Sequence, residues 1–204
     1  MGRGICVSSG TARGKAMSIL WEFLKNPKRT GAIATSSRRL ARMICSEIGV
    51  DSASVIVEYG AGTGVFTEEI LRVKKPDACF FAIEHSPRLA RNFRSKFPDT
   101  RLFEDSAENV AEMLAEVGQE QIDSIVCGLP WAAFDEPLQD SLLNATLSSL
   151  RPGGKFATFA YLQGLLLPAG KRFKKKLAQS FSTVEKSPTV WRNIPPALVY
   201  RCTK

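Results

Sequence analysis

The sequence predicts a doubly wound α/β fold around a mostly parallel sheet. Three observations carry that expectation. Apolar runs of strand length recur at 55–57, 79–83, 101–103 and 122–127, and helix-like stretches alternate with them. The run Val55-Ile56-Val57 is β-branched and unbroken, as in a strand buried on both faces of a parallel sheet. It passes through Glu58-Tyr59-Gly60-Ala61-Gly62-Thr63-Gly64 into a helix-like stretch at 65–72. A strand turning sharply into a helix needs residues tolerant of positive φ, and no Cβ where a ligand nears the backbone. Such a cradle lies at the carboxyl end of a strand, where open α/β sheets bind ligands.

The ligand is narrowed by the acids around the cradle. The spacing is G-x-G-x-G rather than the dinucleotide G-x-G-x-x-G, and Glu58 at the strand end would repel a pyrophosphate but favour a cation. Glu84 closes the second strand, about 20 residues on, where a carboxylate can accept both hydroxyls of a ribose. The third strand ends in Glu104-Asp105-Ser106, suited to an adenine amino group, and the fourth runs into Gly128-Leu129-Pro130-Trp131. A glycine turn in an unrelated α/β protein would not bring four such stations in this order. The order resembles the S-adenosylmethionine-dependent methyltransferases of Rossmann-like fold. That resemblance implies cofactor contacts at Glu58, Tyr59, Gly60, Ala61, Gly62, Thr63, Gly64, Glu84, His85, Asp105, Ser106 and Gly128. It also implies a seven-stranded sheet closed by a C-terminal antiparallel hairpin, from strands near 181–186 and 196–202.

Composition sets the outer bounds. At 204 residues the chain has the length of one ordinary domain. No stretch of 18 apolar residues offers a membrane span, and the N-terminus lacks the features of a secretory signal. Residue 6 is Cys rather than Ser or Thr, which argues against myristoylation of Gly2. The five cysteines form no C-x-x-C pair and read as buried thiols in a reducing cytosol. His85 is the sole histidine, so no metal is expected.

Charge is unevenly spread. Residues 1–48 carry nine Lys/Arg against two acids, 49–170 ten against seventeen, and 171–204 nine against one. The middle is acidic, as a sulfonium site should be, and both ends are basic. Basic flanks point to a polyanion, either nucleic acid or an anionic membrane, unless they form only a solvated surface.

Along the chain, residues 1–14 read as a disordered leader, 15–49 as a helical membrane- or substrate-binding segment, and 50–204 as the cofactor-binding domain. In 15–25 the polar residues Lys15, Ser18, Glu22 and Lys25 form one narrow helical stripe among apolar residues that include Trp21 and Phe23. Pro27, Lys28 and Arg29 follow. An interfacial helix has this make-up, and so does a lid across the sheet. Residues 31–37 read as a turn opening a helix at 38–48, closed by Gly49; Ser36, Ser37 and Arg38 there could cap the helix or meet a phosphate. Helices are expected at 107–117, 138–150 and 171–180, and the turn Arg151-Pro152-Gly153-Gly154 precedes a fifth strand at 155–161.

The end of the fourth strand bears on substrate. Enzymes methylating adenine or amide nitrogens carry Asn or Asp, then x-Pro and an aromatic, to draw the planar nitrogen's lone pair toward the methyl group. Here Gly128 stands at the polar position, which weakens that reading although the layout still resembles the ribosomal RNA adenine dimethyltransferases. An aliphatic amine needs only loss of a proton and in-line approach. Pro130, Trp131, Phe134 and Tyr161 could line its pocket, with Trp131 and Tyr161 as catalytic candidates and Tyr161 accepting or relaying the proton.

The segments 23–38 and Val190-Trp191-Arg192-Asn193-Ile194-Pro195-Pro196-Ala197, with the cradle, resemble the bacterial soluble phospholipid N-methyltransferases. One departure is Gly60-Ala61-Gly62, where Gly-Pro-Gly is more usual in that family. The resemblance implies a cytoplasmic enzyme, peripheral on the membrane through residues 15–29. It would use S-adenosylmethionine to methylate a lipid headgroup amine, of phosphatidylethanolamine or an ornithine lipid, with Arg192 joining Ser36, Ser37 and Arg38 at the phosphate. RNA adenine methylation is the alternative.

Overall fold

The computed structural model describes residues 31–193 and 195–204, with the backbone alone for 31–37. The expected amphipathic stretch 15–29 lies outside the described residues. Seven strands, β1 (Val55–Tyr59), β2 (Cys79–Ile83), β3 (Arg101–Phe103), β4 (Ile122–Cys127), β5 (Leu150–Tyr161), β6 (Thr183–Lys186) and β7 (Ala197–Thr203), form one sheet in the order β3-β2-β1-β4-β5-β7-β6. The five strands β1 to β5 pair in parallel, whereas β7 runs antiparallel to β5 and β6. The expected fold class and closing hairpin are therefore present.

Alternation of side chains across the sheet distributes the helices. Ile56 and Glu58 of β1 face α1 (Gly31–Glu47) and α2 (Val65–Val73), where Leu40, Ile44, Ile70, Val126 and Val199 share one apolar layer. Val57 and Tyr59 face the other way. There they meet Phe81, Ile125 and residues of α4 (Val110–Glu116), α5 (Glu136–Ser149) and α7 (Pro168–Ser180), among them Met113, Leu142 and Phe173. Both faces are covered, which explains why Val55, Ile56 and Val57 are apolar without alternation and why β1 is buried at all five positions. α3 (Pro87–Lys96) sets Phe93 against Ala61 and Ala82, and a short α6 (Leu162–Leu166) joins β5 to α7.

Two boundaries differ from the sequence reading. The helix expected at 38–48 starts at Gly31, so the supposed turn at 31–37 is its first two turns and residues 36–38 do not stand at its N-terminus. Its far end is as expected, with Gly49 at φ +68° after the last turn. The Arg151-Pro152-Gly153-Gly154 stretch lies inside β5 rather than before it. The chain end holds it there: Gly153 N donates to the Lys204 carbonyl at 3.0 Å, and Lys204 N to that of Gly154 at 3.0 Å.

With β1 flanked by β2 on one side and β4 on the other, the connections diverge between β1 and β4. The carboxyl ends of the strands form a cleft at that switch point.

Candidate active site

The glycine loop forms as its residue types require. Gly60, Gly62 and Gly64 have φ of +72°, +55° and +78°, a region that costs other residues energy. Gly60 N and Ala61 N donate to the Ile83 carbonyl at 2.8 and 3.1 Å, fastening the loop to β2. A Cβ on Gly64 would collide with the Phe97 ring, and one on Gly60 would lie 2.9 Å from Leu129. Gly128 is packed as tightly: its N donates to the Tyr59 carbonyl at 2.7 Å, and a Cβ there would lie 2.8 Å from the Gly60 carbonyl oxygen. The absence of Asn or Asp at this position thus has a steric reason, since the two cleft loops touch at their backbones.

Two acids adjoin this loop, and a third follows β3. Glu84 is buried; its Oε2 accepts from Gly62 N and its Oε1 from Ser86 N, each at 2.8 Å. It therefore sets the loop as well as facing the cleft, and each oxygen keeps a second lone pair. Glu58 is fully buried. Its Oε2 accepts from Thr67 Oγ1 at 2.6 Å, while Oε1 has no partner. Burial pushes its carboxyl up to about 8, hydrogen bonding by Thr67 pulls it back, and the Glu84 charge adds to the rise. Asp105 is exposed; Asn109, and then Ser106 N at 2.6 Å, donate to it and hold its carboxyl below the usual range. Ser106 donates to Glu108 at 2.8 Å.

Glu58 should leave a pH signature in stability. Its folded-state value lies above its ordinary 4.5, so the unfolded chain loses the proton first as pH rises. The contribution of Glu58 to stability is then lost progressively between about pH 4.5 and about pH 8. Melting curves of the ligand-free protein should show Glu58→Gln gaining on the wild type across that window. A difference that stays constant with pH would contradict the assignment.

Next to the cradle lies an apolar cavity of about 280 Å³. Gly128, Leu129, Pro130 and Trp131 bound it on one side, Phe159 and Tyr161 of β5 on another, and Leu165, Leu167 and Phe173 from above. The Tyr161 ring meets Phe159 edge-on at 5.3 Å, and burial raises its phenol above the usual value.

The candidate residues thus divide. Glu58, Gly60, Ala61, Gly62, Gly64, Glu84 and Gly128 converge on the loop at the cleft. Thr63 and His85 are exposed, and Thr63 offers its carbonyl to Lys96 Nζ at 3.2 Å. Tyr59 reaches the cleft only through its backbone, because its side chain is entombed beneath the sheet. Trp131 borders the cavity but is buried, with one face stacked on Phe173 at 4.3 Å. It is a wall more than an open aromatic face. Phe134 packs edge-on against Trp131 at 6.0 Å and does not line the cavity. Arg38 stands exposed, 3.7 Å from Glu68, and Arg192 lies on the turn before β7. Ser36 and Ser37 lie within α1, and their side chains are outside the described part.

Sequence reasoning missed several contributors. Gln139 is fully buried and donates from Nε2 to the carbonyls of Trp131 at 2.8 Å and Ala169 at 3.3 Å, tying the β4 loop to α7. Tyr200 of β7 lines the cavity with a buried, unpartnered hydroxyl. Thr67, in the first turn after the glycine loop, was the legible one; the other two arrive from distant segments.

No family model matches the chain. The ornithine lipid N-methyltransferase of Singulisphaera acidiphila is 31% identical over 186 residues, covering 90% of this chain and 93% of that protein. Ribosomal RNA small subunit methyltransferase A of Thermotoga petrophila is 34% identical over 83 residues, 40% of this chain and 32% of that protein. Among solved structures, the Burkholderia thailandensis 1,6-didemethyltoxoflavin-N1-methyltransferase with bound S-adenosylhomocysteine shares the fold, with a TM-score of 0.66 at 14% identity over 100% of this chain and 93% of that one. Fold and cleft define a Rossmann-like methyltransferase. The chain belongs to the S-adenosylmethionine-dependent methyltransferase family that includes the Singulisphaera enzyme, and S-adenosylmethionine is its cofactor.

Among the described residues no helix is long and apolar enough to cross a membrane, and no cluster of His, Cys, Asp or Glu is built to hold a metal ion.

Proposed function

We propose that the enzyme methylates the headgroup amine of a membrane lipid, phosphatidylethanolamine or an ornithine lipid. The observation that carries this is its relatedness, over nine-tenths of its length, to an enzyme named for N-methylation of ornithine lipid. The apolar cavity beside the cradle supports it, because a lipid amine arrives attached to apolar groups and needs walls rather than base-reading polar groups.

When bound, the cofactor supplies an electrophilic sulfonium methyl group. The residues around it have separable roles. Glu84, already holding Gly62 N and Ser86 N, keeps lone pairs for the ribose hydroxyls. Asp105 and Ser106 meet the adenine edge. The unpartnered Glu58 Oε1 is a buried acceptor that a cationic amino group would satisfy. Tyr161, on the cavity wall, is the candidate to relay through its hydroxyl the proton that the amine must lose. Arg38, with Ser36 and Ser37, and Arg192 are the candidates for a headgroup phosphate. Residues 15–29 would hold the enzyme on an anionic membrane.

The RNA adenine reading rests on the shorter match to the ribosomal RNA enzyme. Against it stands Gly128, where the side chain that would orient a planar nitrogen meets the Gly60 carbonyl. Purified protein given tritiated cofactor, vesicles containing both lipids, and total RNA is expected to label the lipid extract. Label in RNA alone would refute the proposal.

A further inference from the structure

Among the described residues three large apolar side chains stand exposed, and two of them, Leu166 and Trp191 at 75% and 72%, belong to segments that line the cavity. Leu166 ends α6 between the cavity residues Leu165 and Leu167. Trp191 sits on the turn leading to β7, which is drawn to the cavity rim: Val190 bridges to Ala197, and Asn193 Nδ2 donates to the carbonyl of the lining residue Pro195 at 2.6 Å. One exposed apolar residue is ordinary, but here two stand on segments that also line an apolar cavity.

Topology brings unpaired cations to the same rim. Tyr161 pairs with Ala197 and Lys186 with Tyr200, so β5 and β6 end, and β7 begins, at the cleft end of the sheet. α7 starts there too, directly after Leu167. On α7, Arg172 and Lys176 are taken up by Glu136, and Lys176 also by Asp140. Lys171, Lys174 and Lys175 are exposed and have no ion pair among the described residues. Lys174 crowds Lys186, and this like-charged neighbour holds the Lys186 ammonium below its usual range. Crowded like charges with no acid between them favour an anionic partner.

We propose that the rim made by Leu166, Lys171, Lys174, Lys186 and Trp191 docks on an anionic bilayer, with the cavity mouth opening into the headgroup layer. This deepens the lipid reading of the site and rests on it. A nucleic acid would also meet the lysines. The bilayer is favoured because Leu166 and the apolar cavity beside it offer nothing to a phosphate or a base edge, whereas an indole and a leucine among lysines suit a lipid interface.

The test is cosedimentation of the full chain with phosphatidylcholine vesicles, with and without phosphatidylglycerol. K171Q/K174Q/K186Q should weaken binding to the anionic vesicles on the order of a hundredfold. L166S/W191S should weaken it about tenfold. Both should leave cofactor affinity, and turnover of a detergent-dispersed lipid amine, at the wild-type level. Vesicle binding indifferent to both variants would overturn the rim while leaving the lipid reading intact, provided dispersed lipid is still methylated. A wild type that binds vesicles through these residues but methylates no lipid would overturn the functional reading and uphold the docking surface. A wild type that ignores vesicles, with the lysine variant losing a single-stranded RNA oligomer instead, would make the rim a nucleic-acid surface and overturn the proposal.

Discussion

Glu84→Ala is expected to abolish measurable cofactor binding, a loss of about a hundredfold or more in calorimetric affinity. Two effects combine. The ribose would lose its carboxylate, and the amides of Gly62 and Ser86 would lose the acceptor that now fixes them at 2.8 Å. Hydrogen bonds to a charged group are worth about 1.5–3 kcal/mol each, so losing even two suffices for that factor. Glu84→Gln separates the two effects. Its amide oxygen can still serve one backbone donor, so the loop should be partly kept while ribose affinity falls. Unchanged affinity in Glu84→Ala would sink the assignment.

The second large effect is expected for Gly128→Asn. An RNA adenine methyltransferase would gain its missing polar residue from this change. In this protein the new Cβ would lie 2.8 Å from the Gly60 carbonyl and within 3.4 Å of the Phe66 ring and the Tyr59 carbonyl. Backbone cannot yield as a flexible side chain does, and overpacking of this kind costs about 1–3 kcal/mol. The melting temperature should drop by several degrees. Cofactor affinity should fall with it, because the displaced atoms belong to the cradle. A Gly128→Asn protein that melts like the wild type and methylates RNA bases would reverse the argument.

These two positions also mark what was legible in the chain. The cradle, Glu84 and the strand order could be read because each rests on local chemistry: glycines at positive φ, acids at strand ends, apolar runs at fixed intervals. The packing role of Gly128 could not, since it depends on Gly60, which is 68 positions away and reaches it only through pairing of β1 with β4. The cavity was half legible. Pro130, Trp131 and Tyr161 lie at or just past visible strand ends, whereas Leu167, Phe173 and Tyr200 come from the junction of α6 and α7, from α7 and from β7, and carry no motif. Trp131 looked like an open aromatic face until Phe173 covered one side of it.

The boundary errors have similar causes. Gly31, Thr35, Ser36 and Ser37 are weak helix formers, so residues 31–37 read as a turn. Packing of Leu40 and Ile44 against the sheet anchors the rest of that helix. The Pro152-Gly153-Gly154 turn was drawn into β5 by the backbone of Lys204, a partner that no local pattern announces. Glu58, by contrast, was recognisable as an acid facing a cation, but its full burial and its single partner Thr67 were visible only in three dimensions.

The central claim, that this cleft serves an amine carried by a lipid, is tested most directly by headgroup analysis. Vesicles containing phosphatidylethanolamine and an ornithine lipid would be incubated with enzyme and cofactor, and the extracted lipids fragmented in a mass spectrometer. The account predicts added methyl groups on the headgroup nitrogen of at least one of the two. Headgroups left unmodified by a protein that binds the cofactor normally would contradict it.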